Sequence, residues 1–109
     1  MAKLVKSVPG DFNTVVNRVT DGILNASMSA SLEDSWETRG TWSRCAVRVF
    51  ERYSWTGENR VSMNVTFYQE NGGSVQLCAI TSGGSQATFF KINTLGEEAF
   101  LETLENILP

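Results

Sequence analysis

The sequence predicts an α+β domain: two helices packed on one face of a five- or six-stranded antiparallel sheet, in the order strand, helix, four or five strands, helix. Three observations predict it. Apolar residues recur at helical spacing in two separate stretches, near 12–23 and near 100–108. Between them, four consecutive stretches alternate apolar and polar residues with period two. Glycine- and asparagine-rich turns separate those stretches at hairpin spacing. Two amphipathic helices need an apolar surface to cover, and one face of an antiparallel sheet supplies it.

The elements follow in order. Residues 3–8 alternate weakly, Leu4 and Val8 against Lys3 and Ser7, and predict a short strand. Pro9 and Gly10 break the chain, and Asp11 suits a helix N-cap because its carboxylate can accept an orphan backbone N–H. Phe12, Val15, Val16, Val19 and Ile23 then form one helical stripe. From Ala26 the period changes to two, with Ala26, Met28, Ala30, Leu32 and Trp36 on one side. Arg39-Gly40 is a tight turn into a strand over 44–55. A loop at 57–59 leads to Val61, Met63, Val65 and Phe67, and Asn71-Gly72-Gly73 turns the chain into Val75, Leu77 and Ala79. Gly83-Gly84 turns it again into a strand near 86–92. Thr94 and Glu97 have capping-box spacing for a last helix, with Phe100, Leu104, Ile107 and Leu108 on its face.

Hairpin parity assigns sides. It pairs Leu32 with Val47, Val49 with Val65, Phe67 with Leu77 and Leu77 with Phe90, and so predicts an apolar face of Leu32, Val47, Val49, Val65, Phe67, Leu77, Ala79 and Phe90. One row of that face holds Met28, Glu51, Met63, Thr81 and Gln86, with Tyr53 and Val61 beside it. A carboxylate, a phenol and an amide in an apolar wall suit a small apolar ligand. A solvated row in which Glu51 pairs with Arg60 is the alternative. The opposite face gathers Phe50, Cys78, Ile80, Ala87 and Phe89, rimmed by Arg48 and Lys91, a patch that suits a protein partner, a second copy being the simplest. Cys45 and Cys78 fall on opposite faces by this parity, which argues against a mutual disulfide.

The 109 residues suffice for a single domain over 1–109 with its own core. There is no histidine, so Ser-His-Asp and Cys-His catalysis and His-ligated zinc are closed to the chain. The two cysteines lack metal-ligand spacing, and no metal or cofactor is expected. A formal net charge of −3 argues against a nucleic-acid partner. No apolar run is long enough for a membrane span, and no apolar signal core follows Met1–Lys6, so the expected address is the cytoplasm. Ser82-Gly83-Gly84-Ser85 has the glycines of a phosphate loop but no Walker lysine, and reads as a turn.

The segments ASLEDS (30–35), RCAVRVFERYSW (44–55), AITSGGSQATFFKIN (79–93) and GEEAFL (96–101) resemble a family of small uncharacterised bacterial proteins known only as a domain of unknown function. The resemblance covers most of the chain and implies no activity. More distantly, the element order is similar to the helix-grip arrangement of START-like, plant-allergen-like and TBP-like domains, which implies a ligand held between sheet and helix. The expected function is therefore non-enzymatic binding, of a small apolar ligand or of a protein partner. A homodimeric assembly protein is the alternative, and an enzyme using Glu51 as acid or base is a further one.

Overall fold

A computed structural model describes residues 1–54, 59–83 and 90–109. Five strands and two helices follow one another as β1 (Ala2–Val8), α1 (Phe12–Ala26), β2 (Ser31–Arg39), β3 (Ser43–Ser54), β4 (Asn59–Glu70), β5 (Val75–Gly83) and α2 (Phe90–Ile107). The strands make one antiparallel sheet in the order β1-β5-β4-β3-β2. The four strands from β2 to β5 form a meander of nearest neighbours. β1 closes the sheet on the far side of β5, with Leu4 opposite Ala79 and Val8 opposite Val75.

Both helices lie on one face. α2 runs over β1, β5 and β4, and α1 lies beside α2 toward β3 and β2. The stripe Phe12, Val15, Val16, Val19 and Ile23 is buried as its spacing requires. It meets Phe50, Val61, Met63, Val65, Phe67, Val75, Leu77 and Ala79 from the sheet and Phe100, Leu101, Leu104 and Leu108 from α2 in one core. β2 is different: from Leu32 to Arg39 every residue is exposed, because the helix layer ends before it.

Local chemistry sets the helix start. Asp11 Oδ2 accepts the Thr14 N–H at 3.0 Å and the Thr14 hydroxyl at 3.1 Å. The backbone hydrogen bond is the larger cause holding the Asp11 carboxyl below its ordinary value of 3.8. A carboxyl lowered in the folded state stabilises the fold fully above its unfolded pKa, and that contribution fades as the pH falls through the lowered value. Asp11→Asn keeps the cap but does not titrate. It is expected to leave the unfolding midpoint near its neutral-pH value and to flatten part of its fall in acid, as read by thermal melts from neutral to acid pH.

Three expectations are corrected. First, the pairing of β3 with β4 is one residue away from the predicted one: Arg48, not Val49, lies opposite Val65, and Phe50 lies opposite Met63. Ala46 and Phe50 therefore face the helices, and Val47 and Val49 face away. The reason is the treatment of the arginines. Arg44 and Arg52 lie on the helix side with their guanidinium groups 4.6 Å and 4.5 Å from the ring centres of Phe12 and Phe100. Burying an arginine stem under a charged head that stacks on a ring lets a charged row share a face with the core. Second, α1 continues to Ala26 and β2 begins only at Ser31, so Met28 lies in the connection, fully exposed, outside any strand. Leu32 pairs with Phe50 rather than Val47, and a bulge follows it. Third, no strand occupies 90–92. Phe90 begins α2, so Leu77 pairs with Lys6 of β1 instead of Phe90, and Thr94 lies within the helix rather than at its cap. The expected strand at 86–89, with Gln86 and Phe89, lies outside the described residues.

Candidate functional site

The register places every outward side chain of the sheet in a row, because directly opposed residues of an antiparallel pair share a face. Three such rows cross all five strands on the side away from the helices. The central one reads Val5, Cys78, Thr66, Val47, Trp36. On one side lies Lys3, Ile80, Asn64, Val49, Asp34, and on the other Ser7, Gln76, Tyr68, Cys45, Thr38. A solvated sheet face usually alternates to polar residues. Here Val5 is 64% and Trp36 60% exposed, and Ile80 and Tyr68 are exposed as well. Exposed apolar groups stand among polar ones across this face, the mixed composition that protein interfaces carry.

The polar margin is built from short-range pairs. At one end Arg60 Nε donates to Glu51 Oε1 at 2.9 Å and its terminal nitrogen donates to Ser31 Oγ at 3.3 Å. The Ser62 and Ser82 hydroxyls meet at 2.8 Å. At the other end Gln76 Nε2 donates to Ser7 Oγ at 3.1 Å, and the Tyr68 hydroxyl donates to Glu70 Oε1 at 3.3 Å. Such exposed pairs contribute little stability, typically up to about 1 kcal/mol each. They do hold the edge side chains in place.

The helix side of β3 carries its own charged ladder. Arg48 pairs with Glu37 of β2 at 2.5 Å, Arg44 donates to Asn13 Oδ1 at 2.7 Å, and Arg52 donates to Thr103 Oγ1 at 3.1 Å. Partial burial pushes the Arg52 guanidinium below its ordinary value. These contacts tie α1, α2 and β2 to the edge of the core. A cleft of about 540 Å³ opens between the β2–β3 and β4–β5 turns, lined by Arg39, Trp42, Arg44, Gln69 and Asn71. The Asn71 N–H donates to the Trp42 carbonyl at 2.7 Å and joins the two turns. That lining is polar and open, unlike the enclosed apolar wall that holds a small apolar ligand.

The structure separates the residues that the sequence grouped as a ligand site. Glu51 and Tyr53 lie on the open face, Met63 and Thr81 are buried on the helix face, and Met28 sits in the α1–β2 connection. The Thr81 hydroxyl donates to the backbone carbonyls of Ala2 and Glu97, both at 3.4 Å, and so joins β5 to β1 and α2. The predicted interface set divides as well. Cys78 and Ile80 are on the open face, whereas Phe50 is core and Arg48 faces the helices. Cys45 and Cys78 are both free thiols on the same open face, with β4 between them, and not on opposite faces as expected. Sequence reasoning missed Val5, Trp36, Val47 and Val49 as surface groups. For Val47 and Val49 the signal was present in the alternation of β3, which is apolar on both sides; only the β3–β4 register decides which side is bare.

A family model matches residues 1–109, the whole length of the chain. The chain belongs to DUF6054, a family of unknown function. No curated protein and no solved structure matches it. No helix among the described residues is long and apolar enough to cross a membrane. Among the described residues of this DUF6054 chain no element covers the sheet's outer face, and that face, rather than a cavity, carries a functional reading.

Proposed function

We propose that the chain is a binding module, that its working surface is the bare face of the sheet, and that it acts by associating with a protein partner. The observation that carries this reading is the central row, in which Val5 and Trp36 stand largely exposed at the two ends of Cys78, Thr66 and Val47. A row of exposed and half-buried groups across five strands, apolar except for Thr66, marks an interaction surface. Strand positions on a sheet held by a packed core are also rigid, so little order need be gained on binding.

A photo-crosslinking residue at Val47 tests this in living cells, with the same residue at Asn17 on the exposed side of α1 as the reference. Adducts to a second polypeptide are expected from position 47 and not from position 17. Adducts from 17 alone, or from neither, overturn the reading.

A further inference from the structure

We infer that the occupant of the bare face is a second copy of this chain, seated by a two-fold axis that runs along β4 in the plane between the two sheets. The inference rests on the reading of that face as the working surface and adds the partner's identity and orientation.

The order β1-β5-β4-β3-β2 makes β4 the middle strand. A two-fold along β4 places β1 of one copy over β2 of the other, and β5 over β3. Each outward row then meets its own reverse. In the row Lys3, Ile80, Asn64, Val49, Asp34, the Lys3 ammonium comes over the partner's Asp34, Ile80 over Val49, and Asn64 over Asn64. In the central row Val5 comes over Trp36, Cys78 over Val47, and Thr66 over Thr66. Apolar groups meet apolar groups, amide meets amide, and the Lys3–Asp34 pair forms twice, as an isologous interface requires. The other in-plane two-fold, across the strands, stacks β1 on β1 and brings Lys3 over Ser7 and Asp34 over Thr38. Charge complementarity therefore selects the axis along β4.

The same axis brings Arg60 over Arg60 and Glu70 over Glu70, the one opposing contribution. Arg60 and Glu70 also belong to β4, but they sit at its two ends. Arg60 is already paired with Glu51. The size fits as well. Five strands about 4.8 Å apart and about eight residues long present a flat projection on the order of 600 Å². Standard interfaces take about 800 Å² of accessible surface from each partner.

The test is light-scattering mass at micromolar concentration, with circular dichroism to establish that each variant is folded. The wild-type chain is expected at twice the 12.0 kDa of one copy. Thr66→Arg puts a charge on the axis facing its own copy and is expected to give a folded monomer. Lys3→Glu and Asp34→Lys are each expected to raise the dimer dissociation constant about tenfold or more, through like-charge juxtaposition. Combining Lys3→Glu with Asp34→Lys exchanges the two charges and is expected to restore it. A monomeric wild type, a dimer that survives Thr66→Arg, or a double exchange that restores nothing overturns the inference. The crosslinker at Val47 keeps the two failures apart. If the chain is monomeric but Val47 captures a different protein, the working surface stands and only the second copy falls. If Val47 captures nothing, both fall.

Discussion

Phe50→Ala is expected to destabilise the fold by about 3–5 kcal/mol, the range for removing a buried aromatic side chain. Phe50 is 0% exposed on the helix side of β3, opposite Met63 and next to the end of the core that β2 leaves uncovered. Removing its ring takes away contacts with the core and leaves a cavity that helices anchored on both sides cannot readily close. A fold of this size has roughly 5–15 kcal/mol of stability in total, so the loss is a large part of it. With a urea slope of about 1–3 kcal/mol per molar, the unfolding midpoint should fall by more than about 1 M. Val47→Ala, three residues earlier on the bare face, is the control. Measured on the monomeric Thr66→Arg background, it should shift the midpoint only slightly. If Phe50→Ala leaves the midpoint where it was and Val47→Ala lowers it, the β3 register described above is wrong by one residue.

Gly22→Ala is expected to destabilise by about 1–3 kcal/mol, in the range for overpacking a close contact. Gly22 lies inside α1, where alanine is ordinarily the better residue by roughly 0.5–1 kcal/mol. A Cβ at this position would stand 2.8 Å from Cδ1 and Cγ2 of Ile107 and 2.9 Å from its Cγ1. Three atoms of a branched side chain meet the added methyl, so a rotation of the chain end does not relieve all of them. The two helices must separate or Ile107 must leave its rotamer. The cost is therefore specific to the pair and reverses in a double-mutant cycle. In an Ile107→Ala background, Gly22→Ala should be neutral or stabilising by its helix propensity. Equal losses in both backgrounds, read by chemical unfolding, would place the close approach elsewhere.

Much of this architecture is legible in the chain. The α1 stripe is visible because its five buried residues keep a 3.6-residue period with no competing apolar side. The β4–β5 register is visible because Val65, Phe67, Leu77 and Ala79 alternate cleanly with polar neighbours, and the turn at Asn71–Gly73 fixes the parity. Gly72 holds φ 81°, a conformation that suits glycine there. β3 resists the same treatment. Ala46 and Phe50 on one side and Cys45, Val47 and Val49 on the other give no preferred face, and the arginines at 44, 48 and 52 argue for the wrong one. Arg44 and Arg52 are accommodated there by stacking on Phe12 and Phe100, which lie on helices far away in sequence. The far side of β5 is illegible for a similar reason, because alternation identifies a strand but not its neighbour. The candidate site inherits both difficulties: the residues on the bare face are individually unremarkable, and only the pairing collects them.

The position of β1 also orders events in time. Each pair along this seam joins residues far apart in the sequence, from Val8 with Val75 to Ala2 with Thr81. No such pair can exist before synthesis has passed Val75, whereas each seam from β2 to β5 joins consecutive hairpin partners. Closing so long a loop adds little to the entropy cost, which grows only with the logarithm of length, but distant pairing is slow. Of the five strands, the earliest made is thus the last to be seated, and until then Leu4 and Val8 and the outer edge of β5 wait for each other.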